Sequence, residues 1–278
     1  MGSTTMEITR DQWAVLRDLY AGDRTSLTGY DLLEFFINFQ PLSDVESIKI
    51  YTTDQNWSVH GSYIIIHKMT KVSFLYLDTI KGPLKDLGSL LCAINIKGYH
   101  LINAYGEDFK PLVEQYWLKR GQDLNKLEHQ GTVVYHLPSS EVQNLKTEDV
   151  NPSHKVDYLG EEHADLIDQH WAYRSADSLT LIRGLMAHHV SAGVFNSSGE
   201  PLTWCLRSPH GSLGNLYVLS DHRRKGLGSM VVRFMAKEIL KTGSEVLATV
   251  VLENKSSRNM FEKMGFRPIN TLYWAVIP

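Results

Sequence analysis

Two cysteines, Cys92 and Cys205, are all that 278 residues contain, and they lie far apart. That is too few for a disulfide framework, and two thiols expected to be buried suit a reducing compartment. Long apolar runs are also missing. Stretches 63–67 and 246–252 have strand length and fall far short of a bilayer span, so a soluble protein without membrane attachment is expected. Neither sign of charge dominates, since 28 Lys and Arg oppose 31 Asp and Glu. This argues against nucleic-acid or acidic-lipid partners, and any anion site has to be local. Near the start, Glu7 and Asp11 are unlike a signal segment, and Met6 stands where a myristoylation signal has Ser or Thr. The expectation is a cytoplasmic or mitochondrial protein, not a secreted one.

What is present is a hydrophobic content of 43%, enough for two cores in a chain of this length. Helical spacing occurs at Trp13, Leu16, Leu19 and Tyr20 and again at Leu32, Leu33, Phe36 and Ile37. Strand-like stretches at 47–53, 62–67 and 72–78 follow, then helix 83–94, strand 99–104, helix 108–119 and strand 132–137. The second half starts afresh with strand 155–159, helices 161–173 and 178–188, and strands 190–196 and 201–207 around the turn Ser197-Ser198-Gly199-Glu200. Strand 213–219, a helix with Leu227, Met230, Val231, Phe234 and Met235 on one face, strand 246–253, helix 256–264 and strand 270–277 complete it. Regular β-α alternation of a doubly wound sheet is absent. The two series run in the same order, so a duplicated α/β (α+β) architecture is expected, with domains at 1–140 and 153–278 and a polar linker at 141–152.

The chemistry concentrates at 218–229, where an apolar strand enters a basic, glycine-punctuated turn and then a helix. Arg223, Arg224 and Lys225 bring charge to a helix N-terminus, and Gly226 and Gly228 leave its amides open to an anion. Two phosphate-loop types fail on spacing. GxxxxGK followed by Ser or Thr occurs nowhere, and Val231 stands where a dinucleotide fingerprint needs its third small residue.

The remaining form, RxxGxG at Arg223, Gly226 and Gly228, resembles the acyl-CoA loop of the GNAT acyltransferase superfamily. Residues 254–266, from Asn254 through Phe261 to Gly265-Phe266, resemble its next block, roughly NxxAxxLYxxxGF. Trp171, Ser178-Leu179, Gly199-x-Pro201-x-x-Trp204 and 211–223 are similar to the glycine N-acyltransferase-like branch. That branch carries a GNAT-like N-terminal half without a phosphate loop, and here 78–83 reads Asp-Thr-Ile-Lys-Gly-Pro. The resemblance covers the whole chain, most closely from about Asp157 onward.

It implies tandem GNAT-like domains, each a mixed, mostly antiparallel sheet flanked by helices. It also implies transfer of an acyl group from acyl-CoA to the amine of a small acceptor, an amino acid such as glycine, by direct attack in a ternary complex. Peptide or protein acetylation stays open, as does an acyl-CoA sensor with little turnover. The CoA site implied comprises Leu216, Tyr217, Val218, Leu219, Arg223, Arg224, Lys225, Gly226, Leu227, Gly228, Ser229, Asn254 and Arg258. The resemblance aligns Asp221 with the acid of that branch as general base, beside His222 as an alternative base and a turn-capping role for Asp221. Phe261 stands where many members have Tyr to protonate the thiolate, leaving Asn254 or Ser257 to bond the cofactor arm. Trp171 and Trp204 read as core or as acyl-pocket wall, His188 and His189 as helix-end residues, and no metal is implied.

Overall fold

The computed structural model describes residues 5–41, 46–145 and 154–278. The chain forms two compact units, Met1–Thr132 with Thr271–Pro278, and Val133–Asn270. The expected divide at 141–152 thus differs from the observed one at Thr132/Val133; residues 146–152 of that stretch lie outside those described.

In the first unit the order is β1 (Met6–Ile8), α1 (Trp13–Leu19), α2 (Tyr30–Asn38), β2 (Ser47–Thr52), α3 (Trp57–His60), β3 (Tyr63–Lys68), β4 (Ser73–Asp78), α4 (Leu84–Ala93), β5 (His100–Tyr105) and α5 (Lys110–Lys119). Strands β1 to β4 pair antiparallel in sequence order, and β4 pairs β5 in parallel. The sheet is completed by the chain's last strand, with Tyr273↔Tyr105 and Ile277↔His100 antiparallel on β5. Apolar residues every three or four positions on α4 and α5, Leu87, Leu90, Leu91, Leu112, Val113 and Tyr116, cover one face of the sheet together with Leu75, Ile102 and Ala275. The short β1 and the single-turn α3 had no sequence signal, being too brief to show a period.

The second unit runs from β6 (Gln130–Leu137) through α6 (Ser139–Gln143), β7 (Lys155–Tyr158), α7 (Ala164–His170), α8 (Ser178–His188), β8 (Ser191–Phe195), β9 (Pro201–Arg207), β10 (Leu213–Val218), α9 (Leu227–Lys241), β11 (Val246–Val251) and α10 (Lys255–Lys263) to β12 (Arg267–Ile277). Its strands lie in the order β6-β11-β10-β9-β8-β7, antiparallel from β7 to β10 and parallel between β10 and β11. Val133, Tyr135 and Leu137, alternating along β6, enter the same core as α9 and α10. This explains the observed divide: an alternating strand needs a core face, and sequence does not say which sheet supplies it. The expected mixed, mostly antiparallel sheets flanked by helices are found in both units.

Cys205 is buried on β9, where burial pushes its thiol up to about 12, whereas Cys92 is only half-buried. No described helix is long and apolar enough to cross a membrane.

Candidate functional site

The site begins with a mismatch between β10 and its neighbours. Against β9 the register runs through Gly214↔Leu206 and resumes at Tyr217↔Trp204, so three steps on β10 oppose two on β9. That extra residue is a bulge, and Asn215 at φ 47 takes it up. Against β11 the parallel register consists of Leu213↔Ala248, beyond which the strands part. The half-buried stretch 214–218 therefore presents an edge that no ladder covers on the β11 side.

The corresponding place in the first unit is closed. There β4 and β5 share four registered pairs, from Ser73↔His100 to Tyr76↔Asn103. The following loop is filled by its own polar groups: the Thr79 and Ser62 hydroxyls bond at 2.6 Å, and the Gly82 N–H donates to Thr79 Oγ1 at 2.8 Å. A Cβ on Gly82 would fall 2.0 Å from Ser62 Oγ. The amides of residues 79–82 are spent internally.

After β10 the chain makes a short turn at Ser220–His222 and enters α9 through Arg224 and Gly226, both left-handed at φ 62 and φ 81. Gly226 adopts that conformation without strain, while Arg224 carries a cost of roughly 1–2 kcal/mol. The N-cap supplies no side-chain bond to the helix. The backbone N–H groups from Arg224 to Ser229 have no hydrogen-bond partner among the described residues, and Met230 N–H, donating to Gly226 O at 3.1 Å, is the first that does. Open amides at the positive end of a fifteen-residue helix form a ready anion site.

The basic residues shape this loop as well as charging it. Arg223 Nε donates to Val218 O at 3.1 Å and its guanidinium lies 5.5 Å from the Tyr217 ring, while Lys225 Nζ donates to Asp221 O at 2.9 Å. Leu219 has both backbone groups engaged within the fold. Its N–H donates to Leu202 O and its carbonyl accepts from His222 N–H.

The second block meets the first in space. A Cβ on Gly228 would lie 3.2 Å from Met260 Sδ and 3.6 Å from Val218 Cγ2, which makes this the point where the start of α9, the end of β10 and α10 converge. Gly228→Val is expected to lower the melting temperature through overpacking worth about 1–3 kcal/mol, measurable by thermal unfolding; an unchanged melting point would contradict this contact.

On α10, Asn254 is the N-cap, its Oδ1 accepting from Ser257 N–H at 3.1 Å. Arg258 donates through Nε to the Tyr135 hydroxyl and through Nη1 to Leu252 O, both at 3.2 Å, so two of its donors brace α10. Phe261 is 2% exposed, packed on Phe266 and stacked on Tyr135 at 6.2 Å. Asp221 is exposed and accepts from the Ser220 hydroxyl at 3.2 Å.

Other polar groups lie on the face reached from α7 and α8. Trp204 is fully buried, yet its indole N–H has no partner among the described residues. Its ring stacks on Tyr217 at 5.2 Å, and His170 sits edge-on at 5.5 Å. Trp171, by contrast, is half-buried at the end of α7 rather than in the core. At the closed end of the β10–β11 parting, Ser212 Oγ lies 3.1 Å from both His210 Nδ1 and Thr249 Oγ1. Burial pushes the His210 imidazole down to about 4; His189 falls to about 3 for the same reason, with the Arg207 charge adding to it. Sequence reading missed Ser212, His210 and Thr249, because they come from the β9–β10 loop and from β11 and carry no motif.

The same fold is found in solved tandem GNAT structures. A tandem GNAT protein from the clavulanic acid biosynthesis pathway superposes with a TM-score of 0.62 at 9% identity, covering 98% of this chain and 97% of that one. A Drosophila protein of known crystal structure superposes at 0.87 with 19% identity, covering 100% and 99%. Residues 191–275 match the family model described as FR47-like protein, a span that contains both the glycine loop and the 254–266 block. An uncharacterized N-acetyltransferase of Bacillus subtilis, YobR, is 31% identical over 68 residues, which are 24% of this chain; the chain spans 28% of the length of that relative. The chain thus has the fold of these tandem GNAT structures, and its segment 191–275 is similar to the FR47-like family.

Proposed function

We propose that this protein is an acyl-CoA-dependent N-acyltransferase of the glycine N-acyltransferase-like branch, acylating the amine of a small acceptor such as an amino acid. The observation that carries the reading is the run of open amides from Arg224 to Ser229 directly after a strand that leaves its parallel neighbour. In this reading those amides, with Arg224, hold the CoA pyrophosphate. The uncovered edge at Leu216–Val218 bonds the pantetheine arm and the thioester carbonyl, where a hydrogen bond to the developing oxyanion lowers the barrier. Asn254 offers its amide nitrogen to the arm, its oxygen being the helix cap.

The neutral amine attacks the thioester carbonyl directly. The motif residues 223–229 and 254–266 contain no cysteine to accept the acyl group. Titration calorimetry with acetyl-CoA and benzoyl-CoA, followed by thiol release against a panel of amino acids, amines and peptides, tests the reading. Binding with turnover on amino acids is the expected result. Absence of binding by either thioester would overturn it, and turnover on peptides alone would replace the acceptor.

A second reading, a thioester-binding protein with little turnover, is favoured by one observation. Phe261 is sealed in the core and brings no proton donor to the departing sulfur. Binding without thiol release against every acceptor would select it.

A further inference from the structure

We infer that Thr249, Ser212 and His210 form a hydroxyl–imidazole relay that accepts the proton of the attacking amine at the closed end of the β10–β11 parting. The inference rests on the acyl-transfer reading above and assigns that reaction a proton acceptor other than the exposed Asp221.

The geometry is set by the strand register. Leu213↔Ala248 is the registered parallel pair, and Thr249 is the first residue of β11 beyond it, half-buried where the strands begin to separate. Ser212 immediately precedes β10 and is fully buried, and His210, 7% exposed, lies two residues before it in the β9–β10 connection. Two contacts of 3.1 Å join the three side chains in series, with Ser212 in the middle. His189, whose imidazole feels both the Arg207 and the His210 charge, and Arg207, which donates through Nε to Gly211 O at 2.8 Å, are ionisable neighbours of this cluster.

The direction of the chain follows from the charge state of its end. A neutral imidazole with an unprotonated Nδ1 accepts from the Ser212 hydroxyl. The Ser212 oxygen is then free to accept from the Thr249 hydroxyl, which turns a lone pair of the Thr249 oxygen toward the opening. A neutral amine placed there finds an acceptor for its N–H. Burial keeps His210 neutral at physiological pH, so the chain rests in the accepting state.

As nitrogen bonds the acyl carbon, its N–H bond breaks and the proton passes to Thr249 Oγ1. The hydroxyl proton of Thr249 moves to Ser212 Oγ, and that of Ser212 to His210 Nδ1. The C–S bond breaks with its electron pair on sulfur, and the thiolate takes a proton from water. The imidazolium, disfavoured where it lies, returns its proton to solvent and the chain resets. Thr249 is the catalytic contact; Ser212 and His210 position and polarise it.

The test compares Thr249→Val, which keeps the shape and removes the hydroxyl, with Thr249→Ser, which keeps the hydroxyl, on the amine substrate found for the wild type. For Thr249→Val, kcat is expected to fall about 100-fold near neutral pH with the KM for acetyl-CoA unchanged, and the deficit should shrink at alkaline pH as hydroxide replaces the relay. Thr249→Ser should restore most of the rate. Nitrogen NMR of the wild-type protein should show His210 neutral with Nδ1 unprotonated. A Thr249→Val enzyme with wild-type kcat, a deficit independent of pH, or a His210 carrying its proton on Nδ1 would each overturn the relay while leaving acyl transfer intact. Wild-type protein that fails to bind acetyl-CoA or to release thiol with any amine would overturn the acyl-transfer reading, and the relay with it. Thermal melting of each variant, expected within a few degrees of wild type, separates lost chemistry from lost folding.

Discussion

Replacing Gly226 by valine should weaken acetyl-CoA binding about 100-fold, a loss of roughly 2.8 kcal/mol. Gly226 opens α9 at φ 81, a conformation in which a β-branched residue is a genuine outlier. Valine would either pull the loop out of that conformation or place its methyl groups over the open amides from Arg224 to Ser229. Hydrogen bonds to a charged group contribute about 1.5–3 kcal/mol each, so losing one or two accounts for the expected change. Titration calorimetry with acetyl-CoA and with free CoA measures it, and circular dichroism reports whether α9 persists. Arg224→Gly is the companion variant: it relieves a left-handed arginine and should raise stability by a few tenths to about 1 kcal/mol. Affinity of Gly226→Val within a few-fold of wild type would refute the assignment of the loop.

The second large effect concerns stability, at the closed loop of the first unit. Asp78 ends β4 with Oδ2 accepting from the Thr28 hydroxyl at 2.5 Å and Oδ1 accepting from Thr79 N–H at 2.7 Å. Burial pushes its carboxyl from 3.8 up to about 6; the two hydrogen bonds offset part of that rise, and Asp23 adds to it. A carboxyl raised on folding binds its proton more tightly in the folded state. Its contribution to stability is therefore full below pH 3.8 and is lost as pH rises through about 6. Asp78→Asn removes that loss. The difference in unfolding free energy between variant and wild type should be near zero at the acid end and grow to at most about 3 kcal/mol above neutrality. Urea unfolding at several pH values measures it, and a difference that does not change with pH would show that Asp78 does not titrate in this window.

Much of the fold was legible in the sequence because long elements repeat their apolar period. Leu87, Leu90 and Leu91 of α4, and Val231, Met235 and Ile239 of α9, announce helices whichever sheet they cover. The boundaries shifted by up to three residues, as at the helix expected to 173, which ends at His170 so that Trp171 is half-buried at its cap. What the period does not encode is partnership. Val133, Tyr135 and Leu137 alternate as any half-buried strand does, and only the folded chain shows that they join the core of the second unit.

The site divides along the same line. Glycine spacing and adjacent basic residues are local, so 223–229 and 254–266 could be read directly, including the contrast with 78–83. The sequence by itself determined a duplicated architecture, one glycine loop in two halves, and the phenylalanine at 261. Tertiary structure decided that β10 leaves β11 after one registered pair while β4 and β5 stay closed over four. It also decided that Arg258 braces Tyr135, and that Ser212 touches both His210 and Thr249. The physical reason is that conformational preference and charge belong to single residues and their near neighbours. Register, burial and the orientation of a hydroxyl belong to pairs of strands that only folding brings together.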